Sequence, residues 1–248
     1  MSGEALEVCW PVAAPVRALC TQRQGGVSEA QYHSLNLATH VGDEPGRVAE
    51  NRRRVRQQYA LPAEPFWLEQ VHGVQVACLD RPGAPMVADA AVTHRPGQVL
   101  AVLVADCLPV LFASRSGDVV GAAHAGWRGL AAGVLEATVA ALGVQPELLC
   151  AWLGPVICAA HFEVGDEVRN AFALHDPEAV RAFTLNARGR WQCDLQALAR
   201  QRLAALGVHT VAGCPPCTYA EAEQLFSYRR EGQTGRMAAL IWIDPLLA

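Results

Sequence analysis

"VLVADCLPVLF" (residues 102–112) and "GAAHAGWRG" (residues 121–129) decide how this chain is read. The first is an apolar run interrupted by Asp106 and Cys107. The second carries His124 out of an apolar run into a glycine-bounded corner, followed by Trp127 and Arg128. Residues 99–105, 109–114 and 118–124 are three apolar strand candidates in close succession. Cys107 then ends one strand and His124 another, with a strand and a turn between them. Adjacent strands would bring the thiol and the imidazole to one edge.

Outward from this centre, strand-like and helical runs alternate. Residues 15–22 predict a strand that leads into the glycine turn "RQGGVS", and residues 45–60 a helix with an arginine-rich solvent face. "FWLEQVHGVQVACLD" predicts two short strands around Gly73, with His72 at a strand end. "GLAAGVLEATVAALG" (129–143) predicts one continuous helix closed by Gly143. A strand at 148–153, helices near 164–174 and 194–206, and strands near 208–212 and 237–243 complete the outline. Strands outnumber crossover helices in the middle, which predicts an α+β fold with a mixed sheet rather than a doubly wound one. There is no internal repeat or break in composition, so residues 1–248 are expected to form one domain.

Composition narrows the chemistry. Hydrophobic residues make up 52% of the chain and charged ones 18%, which argues against disorder. The formal charge of −4 argues against a dedicated nucleic-acid binder, which normally carries a basic stripe. No apolar run approaches the roughly 20 residues of a membrane span. "MSGEALEVCW" lacks the basic region and apolar core of a signal peptide, and the nine cysteines have no framework spacing. The expectation is a cytoplasmic protein without a membrane or nucleic-acid partner; the sequence leaves the oligomeric state open. All twenty basic residues are arginine. An anionic substrate must therefore be held by arginine, histidine, backbone amides or a metal, and Schiff-base catalysis is excluded.

His72, Cys107 and His124 make a plausible three-ligand zinc set with a fourth position open. Each of the three, taken singly, also suits a packed or hydrogen-bonded role. "GCPPCTY" contains the pair Cys214 and Cys217, whose C-x-x-C spacing invites a zinc or redox reading. Without a second such pair it reads as a local packing or turn feature.

The chain resembles the YfiH-type family, labelled multicopper polyphenol oxidase or laccase-domain proteins and treated as purine nucleoside phosphorylases. The motifs that carry the resemblance run from about residue 17 to residue 243. They include "TQRQGGVSEAQYHSLNLATHVGD", "EQVHG", "ADAAVT", "VADCLPVLF", "AAHAGWRG", "WLGPVI", "FEVGDEV" and "CTYAEAEQLFSYRREGQTGRMAALIW". The resemblance implies that His72, Cys107 and His124 bind the metal. It also implies a mixed-sheet sandwich with flanking helices, similar to the cysteine-hydrolase toxin fold. "VICAAHFEV" departs from the family pattern at Cys158 and Ala159.

A multicopper oxidase needs many histidines arranged as His-x-His pairs; this chain has eight histidines and no such pair. Copper would then be an adventitious substitute for zinc. The function expected from the resemblance is a zinc-dependent phosphorylase acting on adenosine, inosine and methylthioadenosine, with adenosine deaminase activity. Zinc with an open position suits hydrolytic deamination. Phosphorolysis also needs an anion holder, for which Arg23 and Arg229 are the candidates, with Arg230 beside them. Asn36 could orient the ribose or base, and Asp106 could orient a ligand or move a proton. Trp127 and Arg128 are expected to support the loop. A competing reading makes Cys107 and His124 a metal-free nucleophile and base that hydrolyse an amide in peptidoglycan precursors. His72 discriminates, because a dyad does not require it.

Overall fold

The computed structural model describes residues 5–213 and 216–247. The apolar runs become strands of two large sheets. One contains β1 (Leu6–Glu7), β2 (Val16–Cys20), β3 (Phe66–Trp67), β6 (Val99–Val104) and β14 (Met237–Ile243). Its order is β1-β2-β14-β6-β3, antiparallel except where β3 runs parallel to β6. The other contains β4 (Val76–Cys78), β5 (Ala90–Thr93), β7 (Leu108–Ser114), β8 (Val120–Ala125), β9 (Leu149–Leu153) and β13 (Thr210–Ala212). Its order is β13-β9-β7-β8-β5-β4, with parallel pairs at both edges and antiparallel pairs between.

The two sheets pack face to face. Leu100, Val102 and Val104 of β6 and Ala239 and Ile241 of β14 share one core with Leu111 and Ala113 of β7 and Val120 and Ala122 of β8. The alternate residues of β7, namely Leu108, Val110 and Phe112, point the other way, as period-two alternation requires. That outer face is covered by α2 (Trp127–Ala132), α3 (Val134–Leu142), α4 (Asp166–Ala173) and α5 (Leu195–Ala205). On the outer face of the first sheet, Val55 of α1 (Pro45–Gln58) packs with Leu19, Ala101, Leu103 and Leu240. A strand buried on both faces has no polar side, which is why β6, β7 and β14 read as continuous apolar runs.

The architecture is therefore mixed α+β with several sheets, as expected. Beyond those expectations it holds a small antiparallel sheet, β10 (Glu163–Val164), β12 (Trp191–Cys193) and β11 (Phe183–Leu185), in that order. The helix expected over 129–143 is corrected: it breaks at Gly133, which takes φ +105° and ends α2 by donating its N–H to Gly129 and Leu130 carbonyls. Helix α5 starts at Asp194, whose side chain accepts the Ala197 N–H. Among the described residues no helix is long and apolar enough to cross a membrane.

Candidate metal centre

The polar interruption at Asp106 and Cys107 is where the chain leaves one sheet and enters the other, since β6 and β7 belong to different sheets. Asp106 makes this passage at φ +94°, a conformation that a residue with a side chain rarely adopts. Its surroundings hold it there. Oδ1 accepts the Thr218 hydroxyl at 2.6 Å and Oδ2 the Arg229 backbone N–H at 2.6 Å. Its carbonyl accepts the Ile157 N–H at 3.1 Å. Cys107 thereby stands between β6 and β7, rather than within a strand.

His124 lies on β8, opposite Pro109 of the neighbouring β7, so the β7–β8 pairing brings its ring close to Cys107. His72 comes from the loop between β3 and β4 and has φ +61°. It sits in a bend, not at a strand end. One residue organises both histidines. Asp89, fully buried just before β5, places Oδ1 2.9 Å from Nδ1 of His124. The same carboxylate accepts the backbone N–H groups of Val71, His72 and Gly73 at 3.2, 2.9 and 2.7 Å. Its carbonyl accepts the His124 N–H at 2.7 Å. The histidine rings meet edge to face, with centroids 4.7 Å apart.

The imidazole and thiol donor atoms of His72, Cys107 and His124 all lie within 4.8 Å of one another. His72 Nε2 is 3.8 Å from Cys107 Sγ. Burial alone would raise the Cys107 thiol, but the His124 charge and hydrogen bonds from His124 and His72 outweigh it and bring it down to about 6. Burial opposes a charge on His124, yet the Cys107 thiolate and Asp89 lift it to about 9. Cys107 and His124 titrate as a thiolate–imidazolium pair. This donor set suits a zinc-type ion: one soft thiolate, two imidazoles, and a carboxylate orienting one ring through Nδ1. The backbone also leaves room for it. A Cβ on Gly126 would stand 2.7 Å from His72 Cδ2 and 3.0 Å from Cys107 Sγ, so only glycine fits there.

The cluster opens into a cavity of about 350 Å³. Trp127, Phe162 and Tyr228 line its wall together with Arg128, Arg229 and Arg236. Arg128 stacks over Trp127 with its charge 4.4 Å from the ring centroid. Arg229 stacks over Phe162 at 5.2 Å and gives one Nη1 hydrogen bond to the Glu163 carbonyl. His40 also reaches the cavity, with its pKa lowered by burial and by the charges of Arg236 and Arg52.

The structure brings His72, Asp106, Cys107, His124 and Arg229 to this cavity, and does not bring Arg23 or Asn36 to it. The Arg23 side chain bonds the carbonyls of His33 and Ala222, pairs with Glu231 at 2.9 Å, and covers the Phe226 ring. Asn36 is fully buried and bonds Ala38, Asp43 and the Arg236 N–H, so it backs a wall residue. Arg230 ties down the carbonyls of Thr218, Tyr219 and Leu225. Sequence reasoning passed over Asp89, Gly126, His40 and Arg236. Asp89 stands inside "ADAAVT", so a signal was present without a role attached. Arg128 was expected only to support its loop. Cys214 lies outside the described residues.

The family model described as multi-copper polyphenol oxidoreductase laccase matches residues 17–244. The chain belongs to this family. Among laccase-like relatives, a Pseudomonas aeruginosa protein named purine nucleoside phosphorylase is 52% identical over 236 residues, covering 95% of this chain and 96% of that one. The Escherichia coli purine nucleoside phosphorylase YfiH is 52% identical over 235 residues, covering 94% and 96%. A crystal structure of a Neisseria meningitidis protein superposes with a TM-score of 0.92 at 50% identity, covering 97% of this chain and 99% of that one.

Proposed function

We propose that the chain is a zinc-dependent purine nucleoside phosphorylase acting on adenosine, inosine and methylthioadenosine, with adenosine deamination as a side activity. One observation carries this reading: a three-donor cluster forms the floor of a nucleoside-sized cavity whose wall holds three arginines and three aromatic rings. Relatives named purine nucleoside phosphorylase support it.

Phosphorolysis forms a bond from a phosphate oxygen to the ribose C1′ and breaks the bond from C1′ to the base. The electron pair leaves with the base, which takes up a proton. Phosphate needs charge-assisted donors in fixed geometry, and Arg128 and Arg229 offer guanidinium forks toward the cavity. Trp127, Phe162 and Tyr228 offer faces on which a purine can stack. His40, kept neutral by burial and by Arg236 and Arg52, can give or accept one hydrogen bond without competing for phosphate. Asp106 has both oxygens committed, so it positions Cys107 and the Arg229 backbone rather than carrying a proton. Zinc held by His72, Cys107 and His124 would supply a Lewis acid at the cavity floor. Deamination, in which a water oxygen bonds to the purine C6 and the amino group leaves as ammonia, would use the same floor.

The amide-hydrolase reading draws on one arrangement: Cys107, His124 and Asp89 follow the order of nucleophile, base and orienting carboxylate. It leaves the convergence of His72 on the same sulfur without a purpose. Metal removal tests between them. Stripped protein should lose phosphate-dependent release of free base and regain it with zinc. Amide cleavage by the stripped protein, without phosphate, would favour the dyad.

A further inference from the structure

A second group of donors lies outside the site just described. Cys158 and His161 come from the loop between β9 and β10, and Cys217 from the segment after β13. Their donor atoms all lie within 4.8 Å of one another. His161 Nδ1 is 3.3 Å from Cys158 Sγ and 3.5 Å from Cys217 Sγ. The Cys158 backbone N–H donates to Cys217 Sγ at 3.2 Å, and the His161 ring stacks on Tyr219 with centroids 4.5 Å apart. All three residues are half-buried.

We propose that Cys158, His161 and Cys217 form a second zinc site, which fastens the cavity wall. Two soft thiolates and one imidazole are donors that select zinc among divalent ions of N/S sites. The separation of Cys158 and His161 by two residues lets one turn deliver two ligands, and Cys217 closes the set from a distant segment.

The placement explains what the ion would do. Val156 bridges Cys217, and the Thr218 N–H donates to the Val156 carbonyl at 3.1 Å. Ile157 donates to the Asp106 carbonyl, and Thr218 donates to the Asp106 carboxylate. The two segments that the ion would join are thus two of the three that hold Asp106 at its unusual φ, one residue from Cys107; the third is the Arg229 backbone. His161-Phe162-Glu163 matches the H-x-E of zinc deaminases. The Glu163 carboxylate, however, is tied through Oε2 to Asn186 and Arg188 and is not among the three converging donors, so the role proposed for the ion is fastening rather than catalysis.

The test is a zinc count on the full chain after stripping and reloading, independent of activity. Wild-type protein should bind two tight zinc ions, and Cys158→Ser, Cys217→Ser and His72→Ala should each bind one. In wild-type protein, reloaded zinc should also shield the Cys158 and Cys217 peptides from alkylation, a readout that needs no folded variant. One ion in the wild type with none lost from either cysteine variant, and no shielding, would overturn the second site. One ion kept in His72→Ala and lost in Cys217→Ser would instead uphold it and remove the cavity-floor zinc.

Discussion

Asp89 Oδ1 lies 2.9 Å from Nδ1 of His124. The same oxygen accepts the His72 N–H at 2.9 Å, so one buried carboxylate sets the positions of both histidines in the cluster. Burial works against its charge, but hydrogen bonds from His124, Gly73 and Val71 hold it below the usual carboxylate range. Asp89→Asn puts an N–H₂ where an oxygen accepts N–H groups. Zinc affinity should fall by about tenfold to a hundredfold, the range typical of residues that orient metal ligands. Competition with a chromophoric chelator measures it; an unchanged affinity would deny Asp89 this role.

Gly126 tests the packing around the ligands. Its φ of −62° is ordinary, so a substitution there adds no backbone strain and acts only through contact. Gly126→Ala should push its Cβ against His72 and Cys107. The expected result is a zinc affinity lower by about tenfold with an unchanged far-ultraviolet circular dichroism spectrum. Wild-type affinity in this variant would mean that the ligands do not converge as described.

The thiolate–imidazolium pair predicts a pH profile in metal-stripped protein. Cys107 sits at about 6, so alkylation by iodoacetamide should be level above that value and fall about tenfold per pH unit below it, as the thiolate takes up its proton. Cys20 and Cys193, raised by burial to about 12, should stay unmodified across the same range. Peptide mapping separates them. A Cys107 rate that rises only near pH 9 would show an ordinary thiol. Zinc should block the reaction.

The arginines divide by what they already hold. Arg128→Lys and Arg229→Lys keep the charge but lose the fork, and each should raise the phosphate KM about tenfold, equivalent to about 1.4 kcal/mol. Arg23→Lys should leave that KM unchanged and lower the melting temperature, since Arg23 ties His33, Ala222 and Glu231 together. A raised phosphate KM in Arg23→Lys alone would reverse the assignment.

The sequence made the strands legible wherever both faces are buried, because β6 and β14 then carry no polar residue to blur their limits and β7 none before Ser114 at its end. It also brought Cys107 and His124 together, since a short antiparallel connection leaves few other arrangements. The break at Gly133 was not legible: a glycine in an apolar helical run reads as tolerated until its φ is known. Asp89 was missed for a similar reason, because its partners Val71, His72 and Gly73 bond through backbone N–H groups that leave no mark in side-chain spacing. Arg23 and Arg229 look alike in sequence, and what separates them is that Arg23 is tied to two carbonyls and Glu231 away from the cavity that Arg229 lines. Cys158, His161 and Cys217 converge across 59 residues of chain, a closeness that no local motif records.

The most direct test follows phosphate itself. Zinc-loaded protein is incubated with inosine and phosphate, and ribose 1-phosphate is followed by phosphorus NMR while free base is counted by chromatography. The account predicts one ribose 1-phosphate for each base released, no release without phosphate, and loss of both in His72→Ala. Base release that continues without phosphate, or with free ribose as the sugar product, would contradict it.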